Sequence, residues 1–167
     1  MISPIATPAR DGARTAGRTA SRGWGNSARI AIGDPPYARR GGHNDGERGE
    51  FEPGTANSVG LLVRAGRAER TVISYDVEEG MLRLDRRESG QAGFHHSFPS
   101  VEAVAVPLQD GRLRLRIHLD RCSVEVFAQD GLATITDLVF PAEASTALAV
   151  FAEGEGAHLV ALDVVGR

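Results

Sequence analysis

The chain has 167 residues, the length of one ordinary domain, which excludes an enzyme built from two full-sized domains. Its 19 basic and 22 acidic residues leave a net charge of -3, which argues against nucleic acid or an anionic membrane as the main partner. The charge is unevenly divided. Residues 1–50 hold eight arginines and five carboxylates, a net of +3, whereas residues 51–167 hold eleven and seventeen, a net of -6.

The cysteine count and the hydropathy pattern exclude several further classes. Cys122 is the single cysteine, so neither an internal disulfide nor a multi-cysteine metal site can form. No stretch is long and apolar enough to span a membrane, and the first residues lack the apolar region of a secretory signal. We therefore expect no membrane contact, no cofactor, no bound metal and, by default, a cytosolic location.

Residues 1–50 differ in composition from the rest of the chain. They contain no Leu, Val or Phe, yet they hold nine of the 20 glycines and four of the eight prolines. Such a segment cannot bury enough apolar surface to offset the entropy lost when its backbone is ordered. We predict a disordered Arg/Gly-rich extension over 1–50 and a folded domain over 51–167. The extension is either a tail that binds nucleic acid or a partner, or a merely solvated segment, and its composition favours the second.

From residue 51 onward the apolar residues recur with a period of two, which indicates β-strands. The clearest run is LRLRIHLD at 113–120, and the turns Asp120-Arg121 and Gln129-Asp130-Gly131 join it to two further strands in a meander. Glu78-Glu79-Gly80 is predicted as a turn between earlier strands. In chain order the predicted strands are 59–64, 71–76, 81–86, 104–108, 113–120, 123–127, 133–140, 147–152 and 157–164.

These short strands follow one another at spacings of about 8 to 12 residues, and no segment keeps a helical period. The sequence therefore predicts an all-β fold. We expect an antiparallel β-sandwich preceded by the disordered N-terminal segment.

No catalytic or metal-binding constellation is visible in the sequence. Cys122 lies at a hairpin corner, where an ordinary turn cysteine is the better interpretation. His95 and His96 are adjacent, so on an extended backbone they would point to opposite faces and could not share a metal. Most carboxylates flank turns. Glu125 alternates with apolar residues, and we expect a cross-strand ion pair with Arg116 or Arg121.

A sugar-binding surface would need exposed aromatic rings that stack on the sugar. After residue 50 the chain has one Tyr, no Trp and six Phe, most of which suit a core. The candidate carbohydrate contacts are therefore few, namely Tyr75, Phe94, His95 and, beside them, Phe98.

The stretch LRLRIHLDRCSVEVF at 113–127, followed by AQDGLATITDLVFP at 128–141, resembles the C-terminal β-sandwich of glycoside hydrolase family 32. This family comprises the β-fructofuranosidases, including invertases, levanases and inulinases. Further blocks in the family's order are GLLVRAGRAERTVISYD, MLRLDRRESG, FHHSFP and FAEGEGAHLVALDV. The resemblance covers about residues 51–167 and none of 1–50, and Cys122 stands where the pattern more often has Ser.

The resemblance implies a module that in family enzymes follows a five-bladed propeller, which holds all the catalytic groups. Those groups lie in Trp-x-Asn-Asp-Pro, Arg-Asp-Pro and Glu-Cys motifs. None matches this chain, since Asp34-Pro35 follows Gly33 rather than Arg and Cys122 follows Arg121 rather than Glu. We therefore assign no catalytic residue.

Two functions follow from the resemblance. The first is the C-terminal module of a β-fructosidase acting on sucrose, levan or inulin, without its propeller and inactive alone, with a propeller encoded upstream as its partner. The second is a non-catalytic fructan-binding or assembly subunit that acts with a separately encoded propeller. The shortage of exposed aromatic residues favours the first. In both cases we expect an exposed apolar patch where a propeller would lie, and hence self-association.

Overall fold

The computed structural model describes residues 28–32 and 47–163, which form two antiparallel sheets that share one core. None of the described residues forms a helix that could cross a membrane. The elements in chain order are β1 Ala28–Ile32, β2 Glu47–Glu52, β3 Ser58–Ala65, β4 Thr71–Asp76, β5 Met81–Asp85, β6 Val101–Ala105, β7 Leu113–Leu119, β8 Ser123–Ala128, the 3₁₀ helix Gln129–Gly131, β9 Ala133–Leu138, β10 Ala147–Glu153 and β11 His158–Asp163.

The two sheets have six and five strands. The six-stranded sheet has the order β1-β10-β3-β4-β5-β6, and the five-stranded sheet has the order β11-β2-β7-β8-β9. All neighbouring strands within them are antiparallel. The predicted antiparallel β-sandwich is therefore confirmed.

The core forms where the inner faces of the two sheets meet. Strands β4, β5 and β8 bury every second residue, as the period of two requires. Burial of these apolar side chains is the main force that holds the two sheets together. The largest fully buried side chains are Leu61, Ile73, Leu82, Leu84, Leu113, Ile117, Val59, Val63, Val106, Val124, Val126 and Val139.

All nine predicted strands are present, and most begin and end within two residues of their predicted limits. The exception is β6, which lies at 101–105 rather than 104–108. Its register against β5 pairs Asp85 with Val101 and Met81 with Ala105. Pro107 has no N–H to offer a ladder, so the pairing ends before it. Because β6 is an edge strand and largely exposed, its apolar pattern was a poor guide to its limits.

The sheets begin earlier in the chain than residue 51, the predicted start of the folded domain. Strand β1 pairs with β10, and β2 lies between β11 and β7 with a ladder on both sides. The β2 sequence ERGEFE has a single large apolar residue, Phe51, so its pattern carried no strand signal. Hydrogen bonds from two neighbouring strands place it instead. The remainder of the predicted disordered extension, residues 1–27 and 33–46, lies outside the described residues.

Two adjacent crossovers carry the chain from one sheet to the other. Residues 53–57 lead from β2 to β3, and residues 154–157 lead from β10 to β11. The Asn57 amide donates to the Glu153 carbonyl at 2.7 Å, and the Thr55 hydroxyl donates to the Glu155 carbonyl at 2.8 Å. These bonds join the crossovers side by side at one end of the sandwich.

Candidate functional site

Tyr75, the first predicted sugar contact, lies in the core. It is 2% exposed, and its hydroxyl donates to the Val106 carbonyl at 2.8 Å. Burial raises the pKa of this hydroxyl, and the neighbouring Asp76 charge adds to the rise. Tyr75 therefore cannot present its ring to a sugar, and its assignment as a contact was wrong. Its position on the inner face of β4 follows from the alternation of that strand.

Phe94, Phe98 and Phe140 form a group at the surface that we call the aromatic cluster, in which Phe94 is exposed and the other two rings are half-buried. Ring centroids are 4.5 Å apart for Phe94 and Phe98, 5.7 Å for Phe94 and Phe140, and 5.4 Å for Phe98 and Phe140. Phe94 is 64% exposed. Sequence analysis selected Phe94 and Phe98 but not Phe140, which joins them from the distant chain after β9. A parallel bridge between Gly90 and Phe140 makes this junction.

The two histidines next to Phe94 are both exposed. Their ring centroids are only 4.4 Å apart, so they do not point to opposite faces as they would on an extended backbone. The reason is local, because the chain turns here instead of running extended, and the Ser97 amide donates to His95 Nδ1 at 3.2 Å. Within the described ranges no three His, Cys, Asp or Glu side chains come close enough to hold a metal ion.

Arg86 links the aromatic cluster to strand β9. Its guanidinium carbon lies 4.3 Å from the centroid of the Phe98 ring, a cation–π contact. Its Nε donates to the Ser100 hydroxyl at 2.9 Å, and Nη1 donates to the Leu138 carbonyl at 3.2 Å. Nη1 also lies 3.4 Å from the Asp137 carboxylate. This single side chain therefore fixes the cluster against the edge of the five-stranded sheet.

The Asp137 side chain is 10% exposed, and its Oδ2 has no hydrogen-bond partner among the described residues. Burial raises the pKa of Asp137 above its ordinary value, and the Glu102 charge adds to the rise although the Arg86 cation opposes it. Ionisation of the Asp137 carboxyl group therefore costs more free energy in the folded protein than in the unfolded chain.

A second surface feature lies on the outer face of the five-stranded sheet, and we call it the outer-face groove. It is an open cavity of about 280 Å³ that crosses strands β11, β2, β7 and β8. Its lining residues are mostly charged: Arg48, Glu50, Arg114, Arg116, Asp130 and Asp163, with Gly49, Leu115, Phe127 and Ala161 between them.

Strand register decides which side chains meet in the groove. Glu50 lies opposite Arg114, and the Arg114 Nε is 3.4 Å from its carboxylate. Arg112 contacts the same Glu50 carboxylate at 3.0 Å and Glu52 at 2.7 Å. Arg116 lies opposite Phe127, and within the described part of the chain its guanidinium has no hydrogen bond or ion pair.

The predicted ion pair of Glu125 is absent among the described residues. Glu125 lies opposite His118 on one side and Thr136 on the other. Arg116 lies opposite Phe127, two residues along β7 from His118. The observed register therefore does not place Arg116 directly across from Glu125. Cys122 is free and exposed, as expected of a turn cysteine.

Comparison with known proteins identifies relatives of this chain. Residues 41–165 match the family model described as glycosyl hydrolases family 32 C terminal. The chain is 34% identical over 151 residues to a levanase of Bacillus subtilis strain 168, covering 88% of this chain and 22% of the levanase. It is 34% identical over 108 residues to an extracellular exo-inulinase of Aspergillus ficuum, covering 64% of this chain and 20% of the inulinase.

Solved structures show the same fold. An exo-inulinase from Aspergillus awamori superposes with a TM-score of 0.65 at 23% identity, covering 91% of this chain and 30% of that one. A fructosyltransferase from A. japonicus superposes with a TM-score of 0.68 at 19% identity, covering 86% and 25%. Taken with the sequence matches, this chain corresponds to about a fifth of the length of its curated relatives.

Proposed function

The chain belongs to glycosyl hydrolase family 32 and carries the family's C-terminal domain, and from this premise we propose that it is the non-catalytic module of a β-fructosidase. Such an enzyme hydrolyses glycosidic bonds in sucrose, levan or inulin. The observation that carries the proposal is the family match over residues 41–165, together with the fact that the chain covers only 22% of the Bacillus subtilis levanase and 20% of the Aspergillus ficuum exo-inulinase. Catalysis then belongs to a propeller outside this chain.

The electrostatics of the described residues support a non-catalytic role. Glycosidases use two carboxyl groups that flank the scissile bond, one of which has a raised pKa and acts as an acid. Asp137 has a raised pKa, but it lies beside the Arg86 guanidinium, which is bonded to the backbone of the same strand. Burial raises the pKa of Asp85, but hydrogen bonds and charge from Arg87 outweigh it and lower the pKa.

The aromatic cluster supports a protein partner. Phe94 is 64% exposed and Leu138, next to the Arg86 anchor, is 51% exposed. Large exposed apolar side chains grouped in this way are typical of protein interaction sites. We assign this surface to the contact with the propeller.

The proposal is tested by measuring fructose release from sucrose, levan and inulin by the purified chain. We expect no release above the buffer rate, while an intact family 32 fructosidase assayed beside it releases fructose from the same substrates. Release that scales with the amount of this chain and survives repeated purification would overturn the proposal. Asp137→Asn gives a second check, because loss of any observed release in this variant would show that the release belongs to this chain.

The alternative function is an assembly subunit that supplies the sandwich to a separately encoded propeller. Mixing the chain with a family 32 propeller tests it, since the alternative requires a stable complex and a gain in propeller activity. The variant Phe94→Ser should weaken such a complex, whereas Leu132→Ser changes an equally exposed residue outside the aromatic cluster and should not.

The cytosolic location expected from the sequence stays a prediction. Two matched relatives from Aspergillus are named extracellular exo-inulinases, and this favours secretion of the enzyme to which the module belongs. Cell fractionation with an antibody against the folded domain distinguishes the two locations.

A further inference from the structure

The outer-face groove contains charged side chains that the proposed module function does not use. It lies on the solvent side of the five-stranded sheet, away from the aromatic cluster, and its volume of about 280 Å³ suits a small ligand. Arg116 projects into it without a partner from the described part of the chain. Asp130 and Asp163 line it and likewise form no ion pair within the described ranges.

The charge balance of the groove indicates the chemical class of its ligand. Three arginines, Arg48, Arg114 and Arg116, are matched by three carboxylates, Glu50, Asp130 and Asp163. A site for phosphate or another anion would have an excess of arginine, and a cation site an excess of carboxylate. A balanced mixture of strong donors and strong acceptors suits an uncharged ligand that carries many hydroxyl groups, because each hydroxyl both donates and accepts.

The outer-face groove also contains one aromatic ring, that of Phe127. Phe127 lines the groove opposite Arg116, and His118 meets the Phe127 ring edge-on at 5.6 Å with an interplanar angle of 88°. The fixed ring offers an apolar surface on which the C–H face of a sugar can lie, while the flanking charged groups reach its hydroxyls.

The groove is also preorganised. Four of its charged side chains, those of Arg48, Glu50, Arg114 and Arg116, stand on strands β2 and β7, which have neighbours on both sides in the sheet. Glu50 is held by Arg112 at 3.0 Å and approached by Arg114 at 3.4 Å, so these side chains are oriented before any ligand arrives. Glu50 and Arg114 therefore lose little side-chain entropy on binding.

We propose that the outer-face groove is a binding subsite for one or two sugar units of a neutral polysaccharide. The identity of that polysaccharide as a fructan rests on the proposed function. In this role the groove holds the polymer beside the enzyme without taking part in catalysis.

The test titrates levan, inulin and dextran separately into the full chain by calorimetry, and repeats the measurement by affinity electrophoresis in gels containing each polymer. We expect heat and retardation with levan or inulin and none with dextran. Arg116→Ala should weaken the association about tenfold, as expected for the loss of one charged hydrogen-bonding group. Phe127→Leu, which keeps the apolar volume but removes the ring, should also weaken it.

Arg121→Ala is the matched control, because Arg121 is exposed on the β7–β8 turn of the same sheet but does not line the groove. It should bind like the unaltered chain, and thermal melting should show that all variants fold. Absence of binding to every polymer, or equal weakening in Arg116→Ala and Arg121→Ala, would overturn the proposal. Binding to dextran alone would overturn the fructan assignment. These outcomes are independent of the hydrolysis assay, so failure of the groove and failure of the module function are distinguishable.

Discussion

At the scale of single residues, the buried side chain of Gln129 connects several backbone groups. It is 3% exposed, and its Nε2 donates to the carbonyls of Pro107 and Arg112 at 3.0 and 2.8 Å. Its Oε1 accepts from the Arg114 amide at 3.1 Å. The side chain therefore bonds three backbone groups at once, one of which, the Arg112 carbonyl, also accepts from the Gln109 amide at 3.1 Å. The turn residues Asp130 and Gly131, both with positive φ, were predicted from local chemistry, but this bridge to a distant loop was not.

Asp137 is the residue from which we predict how the stability of the fold depends on pH. Its folded-state pKa is raised, chiefly by burial, so the folded protein binds more protons than the unfolded chain at mildly acidic pH. Stability from this group is therefore fully present below the ordinary aspartate pKa of 3.8 and is lost as pH rises through the folded-state pKa. We expect Asp137→Asn to raise the free energy of unfolding at pH 7 by about 1 kcal/mol or less, measured by urea denaturation.

Asp85→Asn is a control that should change the free energy of unfolding in the opposite direction. The pKa of Asp85 is raised by burial but lowered more strongly by Arg87, so its net pKa is below the ordinary value. Stability from Asp85 is present at neutral pH and lost as pH falls through the folded value. We expect this variant to be less stable at pH 7. If both substitutions shift stability in the same direction, the assigned electrostatics are incorrect.

At the scale of elements, β3 depends on the lack of a side chain at Gly60. This residue lies opposite Ser74 on β4 and Phe151 on β10, and a Cβ there would overlap the Ile73 carbonyl and approach the Phe151 ring to 2.9 Å. We expect Gly60→Ala to lower the free energy of unfolding by about 2 kcal/mol, because the overlap includes backbone that cannot move away cheaply.

Gly93→Ala is the matched control for the strand, since no atom of the described residues lies within 4 Å of the position its Cβ would occupy. Chemical denaturation of both variants should show a large loss for Gly60→Ala and almost none for Gly93→Ala. Equal stability of the two would mean that β3 tolerates a shift, and that the packing between β3, β4 and β10 is looser than the structure shows.

The whole molecule exposes the aromatic cluster at one edge of the sandwich. Because Phe94 and Leu138 are each more than half exposed, we expect the isolated chain to self-associate through this surface. Size-exclusion chromatography with light scattering should give a mass that rises with concentration. The double variant Phe94→Ser/Leu138→Ser should remain monomeric at concentrations where the unaltered chain associates.

Leu132→Ser serves as the control for self-association, because Leu132 is 61% exposed but precedes β9, at the opposite end of that strand from Leu138. It should leave the association unchanged. If the unaltered chain is monomeric at every concentration, the prediction of self-association is wrong. The assignment of this surface to a propeller contact then loses one of its supports.

The sequence by itself determined the fold class, nine strands and the hairpin turns around 120 and 130, because these depend on side-chain alternation and on backbone preferences within a few residues. Only the tertiary structure decided the positions of β1 and β2, the burial of Tyr75 and the meeting of Phe94 with Phe140. The outer-face groove was likewise decided only by the tertiary structure. Its charged residues look like ordinary solvent-facing positions along each strand, and only the register between strands brings them to one place.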